Sequence, residues 1–159
     1  MHSRLSVLLA SDFPMLRDSM AKFLESVPEL ELVASTDAEA EVLGLVKAHK
    51  PHVAVLDLSM EWPSLCELVG GLSSQHVSPL LMSDRLDEAE TIELLRRGVC
   101  GIVPRRATPE ILRKSVRAIG AGEFWIMTRA AWGVAPHFKQ FHGVSTGRSK
   151  EAVASSRQI

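Results

Sequence analysis

The apolar pattern of this chain alternates between short runs typical of buried strands and longer segments with helical spacing. Five strand-like runs are present, at residues 5–10, 30–35, 53–57, 79–83 and 100–104. Helical patterns follow them, beginning near residue 14 and then covering 37–50, 64–72, 87–98 and 108–122. Because parallel strands need crossover connections of this length, the strict alternation predicts a mainly parallel sheet with helices on both faces. This pattern restricts the chain to the α/β class.

Residues typical of helix ends support several of these boundaries. Asp12 is predicted to cap the first helix, with Pro14 in the first turn, where proline is tolerated. Thr108 is the expected cap of the last helix, and Gly98 is the residue expected to end the fourth. The pair at 70–71, two glycines, weakens the third helical pattern because glycine is a poor helix former. The third helix is therefore the least well defined of the five.

Composition limits the class of protein further. The 159 residues are 46% hydrophobic and 23% charged, which is ordinary for a globular protein with one core. The net charge of −1 gives no general attraction to nucleic acid or to an anionic membrane, and no apolar run is long enough to span a bilayer. Cys66 and Cys100 form no CxxC pair and are expected to be buried as small hydrophobic side chains. These features predict a cytoplasmic protein with no membrane segment.

The composition and the apolar pattern of the sequence change towards its end. From about residue 133 the apolar periodicity is weak, and serine, glycine and basic residues are frequent. We therefore expect one domain at 1–127, followed at 128–159 by a linker or mobile tail with no recognisable output domain.

A carboxylate stands at the end of the most buried of the predicted strands, in "HVAVLDLS". The ligand site of an open α/β sheet lies beyond the carboxyl ends of the strands, where the strand order reverses. In the order 2-1-3-4-5 that position would bring together Asp12, after the first strand, and Asp57, at the end of the third. Two acids in one cleft suit a hard cation such as Mg²⁺, which usually needs only one or two carboxylates. The alternative is that Asp12 only caps a helix and Asp57 only caps a loop.

Several stretches together resemble a known family: "SVLLASDFPMLRDSMAKFLE", "PHVAVLDLSM", "LLMSD" and "GVCGIVPRRATPEILRKSVRAIGAGE". On these, the segment from Leu5 to Trp125 resembles the receiver domain of bacterial two-component response regulators, most closely the NarL/LuxR type. The resemblance implies a flavodoxin-like (CheY-like) three-layer sandwich, with a five-stranded parallel sheet in the order 2-1-3-4-5.

The resemblance also implies roles for individual residues. Asp57 matches the aspartate that accepts a phosphoryl group from a sensor histidine kinase. Mg²⁺ would be held by Asp12, Asp57 and the backbone carbonyl of Ser59. Ser83 matches the hydroxyl that senses the phosphoryl group, and Arg105 stands where the family has a lysine.

The sequence departs from the family pattern around the same site. Ser11 replaces the second acid of the metal-binding pair, which should weaken Mg²⁺ binding. Arg105 keeps the positive charge of the lysine but has a planar, forked head group. The loop after Asp57 lacks the usual proline and glycines and contains Glu61 and Trp62, and Ile102 replaces the aromatic residue expected in the fifth strand.

Three functions are compatible with these features. The first is a phosphorylation switch that changes partner binding or forms a homodimer through the face of the fourth helix, fifth strand and fifth helix. Such a receiver would regulate transcription, and would contact nucleic acid only through an output domain that this chain lacks. The second is a pseudo-receiver that binds proteins without phosphorylation. The third, a metal-dependent phosphatase, is disfavoured because Ser59 stands where a DxD motif would have its second acid, so no enzyme activity beyond self-phosphorylation is expected.

Overall fold

The computed structural model of the protein describes residues 4–127. Six strands form one sheet: β1 (Leu5–Ser11), β2 (Leu30–Thr36), β3 (Val53–Asp57), β4 (Ser78–Met82), β5 (Gly101–Val103) and β6 (Trp125–Ile126). The helices are α1 (Pro14–Ser26), α2 (Val42–His49), α3 (Trp62–Ser74), α4 (Glu88–Arg97) and α5 (Pro109–Gly120). The predicted tail at 128–159 lies outside the described residues.

The sheet is parallel throughout, and its strands lie in the order β2-β1-β3-β4-β5-β6. The order predicted for the first five strands is therefore confirmed. The prediction of five strands was incomplete, because Trp125–Ile126 pairs with β5 as a sixth. Two residues are too few to produce a recognisable strand pattern in a sequence.

The helices cover both faces of the sheet and enclose two cores. β3 explains why, since all five of its residues are buried and successive side chains point to opposite faces. Val53 and Val55 pack with α1 and α5, whereas Ala54 and Leu56 pack with α2, α3 and α4. The result is the predicted three-layer sandwich.

Two helices differ from their predicted bounds for identifiable reasons. The segment 37–50 begins with one turn of 3₁₀ helix at Glu39–Glu41, where the Thr36 hydroxyl accepts from the Ala38 N–H and donates to Glu41. This local network replaces the first turn of the predicted helix. Helix α3 runs through Gly70 and Gly71 without a break, because its buried leucine and valine side chains hold it against the sheet.

The end signals of the later helices were predicted correctly. The Thr108 side chain accepts the Ile111 N–H, and Gly98 ends α4 in the left-handed conformation with φ of 117°. Asp87 and Glu90 additionally form a capping box at the start of α4. Cys66 and Cys100 are both buried, as expected.

Two glycine-to-alanine substitutions should have opposite effects on stability. A methyl group at Gly101 in β5 would overlap Cδ1 of Ile119 and lie 2.7 Å from Cδ1 of Leu80, so Gly101→Ala should lower the free energy of unfolding by about 1–3 kcal/mol. A methyl group at Gly70 in α3 would meet nothing within 4 Å, so Gly70→Ala should raise it by about 0.5–1 kcal/mol. Urea unfolding of both variants checks this. Equal effects in the two would contradict the packing described for β5.

Candidate functional site

The carboxyl ends of β1 and β3 lie side by side and bring three polar residues together. Ser11 pairs in register with Asp57, and the Asp12 N–H donates to the Asp57 carbonyl over 3.2 Å. The sheet order reverses between these two strands, since β2 lies beyond β1 and β4 lies beyond β3. Asp12 and Asp57 therefore meet at the edge where ligands bind in this class of sheet.

Asp57 is almost completely buried, with 1% of its surface exposed. One carboxylate oxygen, Oδ1, accepts from Nε of Arg105 at 2.8 Å, and Oδ2 accepts from the Ser11 hydroxyl at 3.1 Å. A buried carboxylate without such donors would be strongly destabilising. Each oxygen of Asp57 thus has a donor from a separate part of the chain.

Burial raises the pKa of Asp57 above its ordinary value, because removal from water disfavours the charged form. The ion pair with Arg105 and the hydrogen bond from Ser11 act in the opposite direction, and the negative charge of Asp12 adds to the rise. The effect of burial is the largest of these. The charged form of Asp57 therefore lowers the stability of the folded protein, even with its two hydrogen-bond donors in place.

Asp12 does not cap the first helix, so that prediction was wrong. The N-cap position of α1 is Phe13, which makes no side-chain capping hydrogen bond. The Asp12 carboxylate turns towards β3 instead, where Oδ2 accepts the Ser59 N–H at 2.8 Å. Its other oxygen, Oδ1, is buried and has no hydrogen-bond partner among residues 4–127.

This unpartnered oxygen bears on whether the site suits a metal ion. A buried carboxylate oxygen with no donor is a ready ligand for a hard cation, and Asp12 also lies beside the backbone of Ser59. The described residues contain no group of three or more His, Cys, Asp or Glu side chains that could hold a metal. The carboxylates at hand are Asp12 and Asp57, so the donor set fits an ion that keeps several waters, as Mg²⁺ does.

Arg105 is held at the site by three contacts. Its Nε donates to Asp57, its backbone N–H donates to Oδ1 of Asp84 at 3.0 Å, and its guanidinium carbon lies 4.7 Å from the centre of the Phe13 ring. Neither Phe13 nor Asp84 was singled out from the sequence. The sequence signal that could have identified them is their position, since Phe13 directly follows Asp12 and Asp84 directly follows Ser83.

Ser83 follows β4 and is partly exposed. Its backbone N–H donates to the Val103 carbonyl, which anchors it beside β5, and its hydroxyl accepts from the Arg85 N–H at 3.3 Å. The side chains that donate to Asp57 are Arg105 and Ser11. The Ser83 hydroxyl instead contacts the loop that follows β4.

The other residues that depart from the family pattern are accounted for by packing. Ile102 is fully buried in the core beneath α2, α3 and α4. Trp62 begins α3 and packs against the same core, and Glu61, just before it, is exposed. The role suggested for Glu61 as a replacement acid gains no support from a contact with Asp12 or Asp57 in the described structure.

Comparison with known proteins finds response regulators among similar sequences and among similar structures. No family model matches the chain. The chain is 28% identical over 127 residues to the DNA-binding transcriptional activator DevR/DosR of Mycobacterium tuberculosis, covering 79% of this chain and 58% of that protein. It is 26% identical over 120 residues to the nitrate/nitrite response regulator protein NarL of Escherichia coli K12, covering 74% and 56% respectively. The chain thus matches a little more than half the length of these curated relatives.

A solved structure extends the match to the fold. The signal receiver domain of the response regulator NarL from Mycobacterium tuberculosis superposes with a TM-score of 0.70 at 25% identity, covering 77% of this chain and all of that domain. Within residues 4–127 no helix is long and apolar enough to cross a membrane. The relatives that the chain matches in sequence are response regulators of the NarL/LuxR type, and its described residues share the fold of a receiver domain.

Proposed function

We propose that this domain is the receiver of a phosphorelay, and that Asp57 accepts a phosphoryl group from a sensor histidine kinase. The observation that carries the proposal is the position of Asp57 at the end of β3, beside Asp12, at the reversal of strand order. The curated relatives, which are transcriptional response regulators, support the same assignment.

The chemistry is a phosphoryl transfer. An oxygen of the Asp57 carboxylate attacks phosphorus, the bond from phosphorus to the kinase histidine breaks, and the histidine nitrogen keeps its electron pair. The product is an acyl phosphate on Asp57. Arg105 would neutralise part of the added charge, and the Ser83 hydroxyl would donate to a phosphoryl oxygen after leaving its contact with Arg85.

Mg²⁺ would be held by Asp12, Asp57 and the Ser59 carbonyl, and it would supply electrostatic stabilisation of the transferring group. The unpartnered Oδ1 of Asp12 supports this assignment. Because Ser11 stands in place of a second acid, we expect weaker binding than a pair of acids would give.

The consequence of phosphorylation would be a shift between two conformers that alters binding of a partner. We propose the face of α4, β5 and α5 as the surface concerned, with homodimer formation as one outcome. Ile92 of α4 is a large apolar side chain with 39% exposure. Any contact with nucleic acid would belong to a separate output domain, and the place of action would be the cytoplasm.

A pseudo-receiver is the second candidate, and a specific observation favours it. Both oxygens of Asp57 already have donors, Arg105 and Ser11, so the acceptor is closed in the described structure. A domain that kept this arrangement permanently would serve as a binding module independent of phosphorylation.

Intact mass spectrometry after incubation with Mg²⁺ and a small acyl-phosphate donor separates the two functions. We expect one added phosphoryl group, lost in Asp57→Asn and lost when Mg²⁺ is removed with a chelator. Asp12→Asn should reduce the yield at least tenfold, because it removes the negative charge of the carboxylate whose buried Oδ1 has no donor among residues 4–127. A folded wild-type protein that gains no mass, and whose tryptophan fluorescence does not respond to Mg²⁺, would contradict the phosphorylation switch and favour the pseudo-receiver.

Restoring an acid at position 11 should couple stability to the metal. Ser11→Asp places a buried carboxylate beside Asp57, so without Mg²⁺ the free energy of unfolding should fall by about 1–3 kcal/mol. Saturating Mg²⁺ should recover most of this loss and raise the melting temperature far more than in the wild type. Ser11→Ala is the control, since it removes the hydrogen bond to Asp57 without adding charge. An equal response to Mg²⁺ in the two variants would refute a metal at this position.

Asp57→Asn should stabilise the fold at pH 7 by about 1 kcal/mol, a typical single-site effect. Burial is the largest influence on the Asp57 carboxyl and raises its pKa, so the charged form weakens the folded state. As the pH falls through the raised pKa towards the ordinary value of 3.8, the folded wild type takes up a proton and recovers this loss. The advantage of the variant should therefore shrink with acidification, as measured by urea unfolding at several pH values. An advantage that grows on acidification would show that Arg105, and not burial, dominates.

A further inference from the structure

The guanidinium of Arg105 lies between a buried carboxylate and an exposed aromatic ring. Nε donates to Oδ1 of Asp57 at 2.8 Å, and the guanidinium carbon is 4.7 Å from the centre of the Phe13 ring. The Arg105 side chain is 35% exposed, so water reaches it from one side. Nothing about the ion pair alone would keep so accessible a side chain in one position.

Phe13 has no evident role in the core. It is 47% exposed, belongs to neither core cluster, and makes no capping hydrogen bond although it is the N-cap residue of α1. Its position is nevertheless well fixed, since it stands between Asp12, whose carboxylate is tied to Ser59, and Pro14 at the start of the helix. A ring fixed in this way is a platform on which a planar cation can stack.

The main chain of Arg105 is held independently of its side chain. The Arg105 N–H donates to Oδ1 of Asp84, which follows β4, at 3.0 Å. Asp84 thus sets where the side chain begins, Phe13 lies against its face, and Asp57 receives its Nε–H. These contacts come from three different strand ends, so they fix the orientation of the guanidinium as well as its location.

From this geometry, and resting on the proposed role of Asp57 as acceptor, we propose that Phe13 is a positioning residue that holds Arg105 as the resident counter-cation of Asp57. In this state the charge of Asp57 is already partly neutralised by Arg105, and a divalent cation held by Asp12 and Asp57 would be repelled by the guanidinium. Opening of the acceptor requires Arg105 to leave the Phe13 ring.

The planar head group of arginine is needed for this arrangement. Nε of a guanidinium can donate in its plane to a carboxylate while its face rests on an aromatic ring. A lysine ammonium is a compact point charge with no face to stack. Phe13 and Arg105 therefore act as a pair in which the ring orients the guanidinium. A lysine at position 105 would not stack on Phe13 in this way.

The direct test is the rate at which the Arg105 Nε–H exchanges with water, measured by NMR and assigned by the loss of its signal in Arg105→Lys. We expect slow exchange in the wild type and exchange about two- to fivefold faster in Phe13→Leu, the change that corresponds to the loss of one exposed cation–π contact. Met15→Leu is the matched control, because Met15 is 86% exposed two residues further on and should leave the rate unchanged. Equal rates in the wild type and Phe13→Leu would overturn the proposal.

Titration calorimetry with Mg²⁺ tests the consequence for the site. Phe13→Leu should bind Mg²⁺ about two- to fivefold more tightly than the wild type, and Met15→Leu should not differ from it. Affinity no higher in Phe13→Leu would overturn the opposition between Arg105 and the metal. Because the exchange rate needs neither metal nor phosphate, its result stands whether or not Asp57 accepts a phosphoryl group. Failure of the phosphoryl assay alone would remove the proposed function and leave the positioning by Phe13 intact.

Discussion

The structure of this edge of the sheet depends on one carboxylate buried at the end of a strand that is itself buried on both faces. Asp57 lies at the end of β3, which runs between β1 and β4, and only 1% of the residue's surface is exposed to water. Its charge is therefore tolerable only with donors supplied from elsewhere in the chain. Ser11 supplies one from the adjacent strand, and Arg105 supplies the other from beyond β5. The loops around the site are arranged about these two contacts.

The sequence was sufficient to predict that Asp12 and Asp57 meet, and the reason is physical. Apolar runs buried on both faces can occupy only central strands, alternation with helices makes those strands parallel, and parallel strands end at the same edge. The direction of the Asp12 side chain could not be obtained in this way. The Asp12 carboxylate could either cap α1 or accept the Ser59 N–H. Which of these contacts forms depends on how closely β3 approaches β1. The sixth strand was missed for a similar reason, and α3 extends beyond its predicted bounds of 64–72, since pairing and packing with distant residues outweigh local preference.

The contact between Phe13 and Arg105 could not be predicted from the sequence. An exposed aromatic residue after a strand and an arginine after another strand have many arrangements, and only the positions of both backbones decide whether ring and guanidinium stack. The Asp84 contact has the same character, because it fixes the Arg105 main chain through a hydrogen bond that no periodicity predicts. Sequence patterns locate a site through its strands, whereas the partners of each charged atom are set by tertiary geometry.

The departures of this chain from the family pattern are physically coupled. With serine at position 11, the site holds two carboxylates and one guanidinium, so its attraction for a divalent cation is lower than a pair of acids beside Asp57 would give. In the described structure the cation that pairs with Asp57 is Arg105. Ile102 is fully buried in β5, between β4 and β6, so its side chain belongs to the core and not to the surface. Arg105 pairs with Asp57 through its side chain and with Asp84 through its main chain, so it connects the end of β3 to the loop that follows β4.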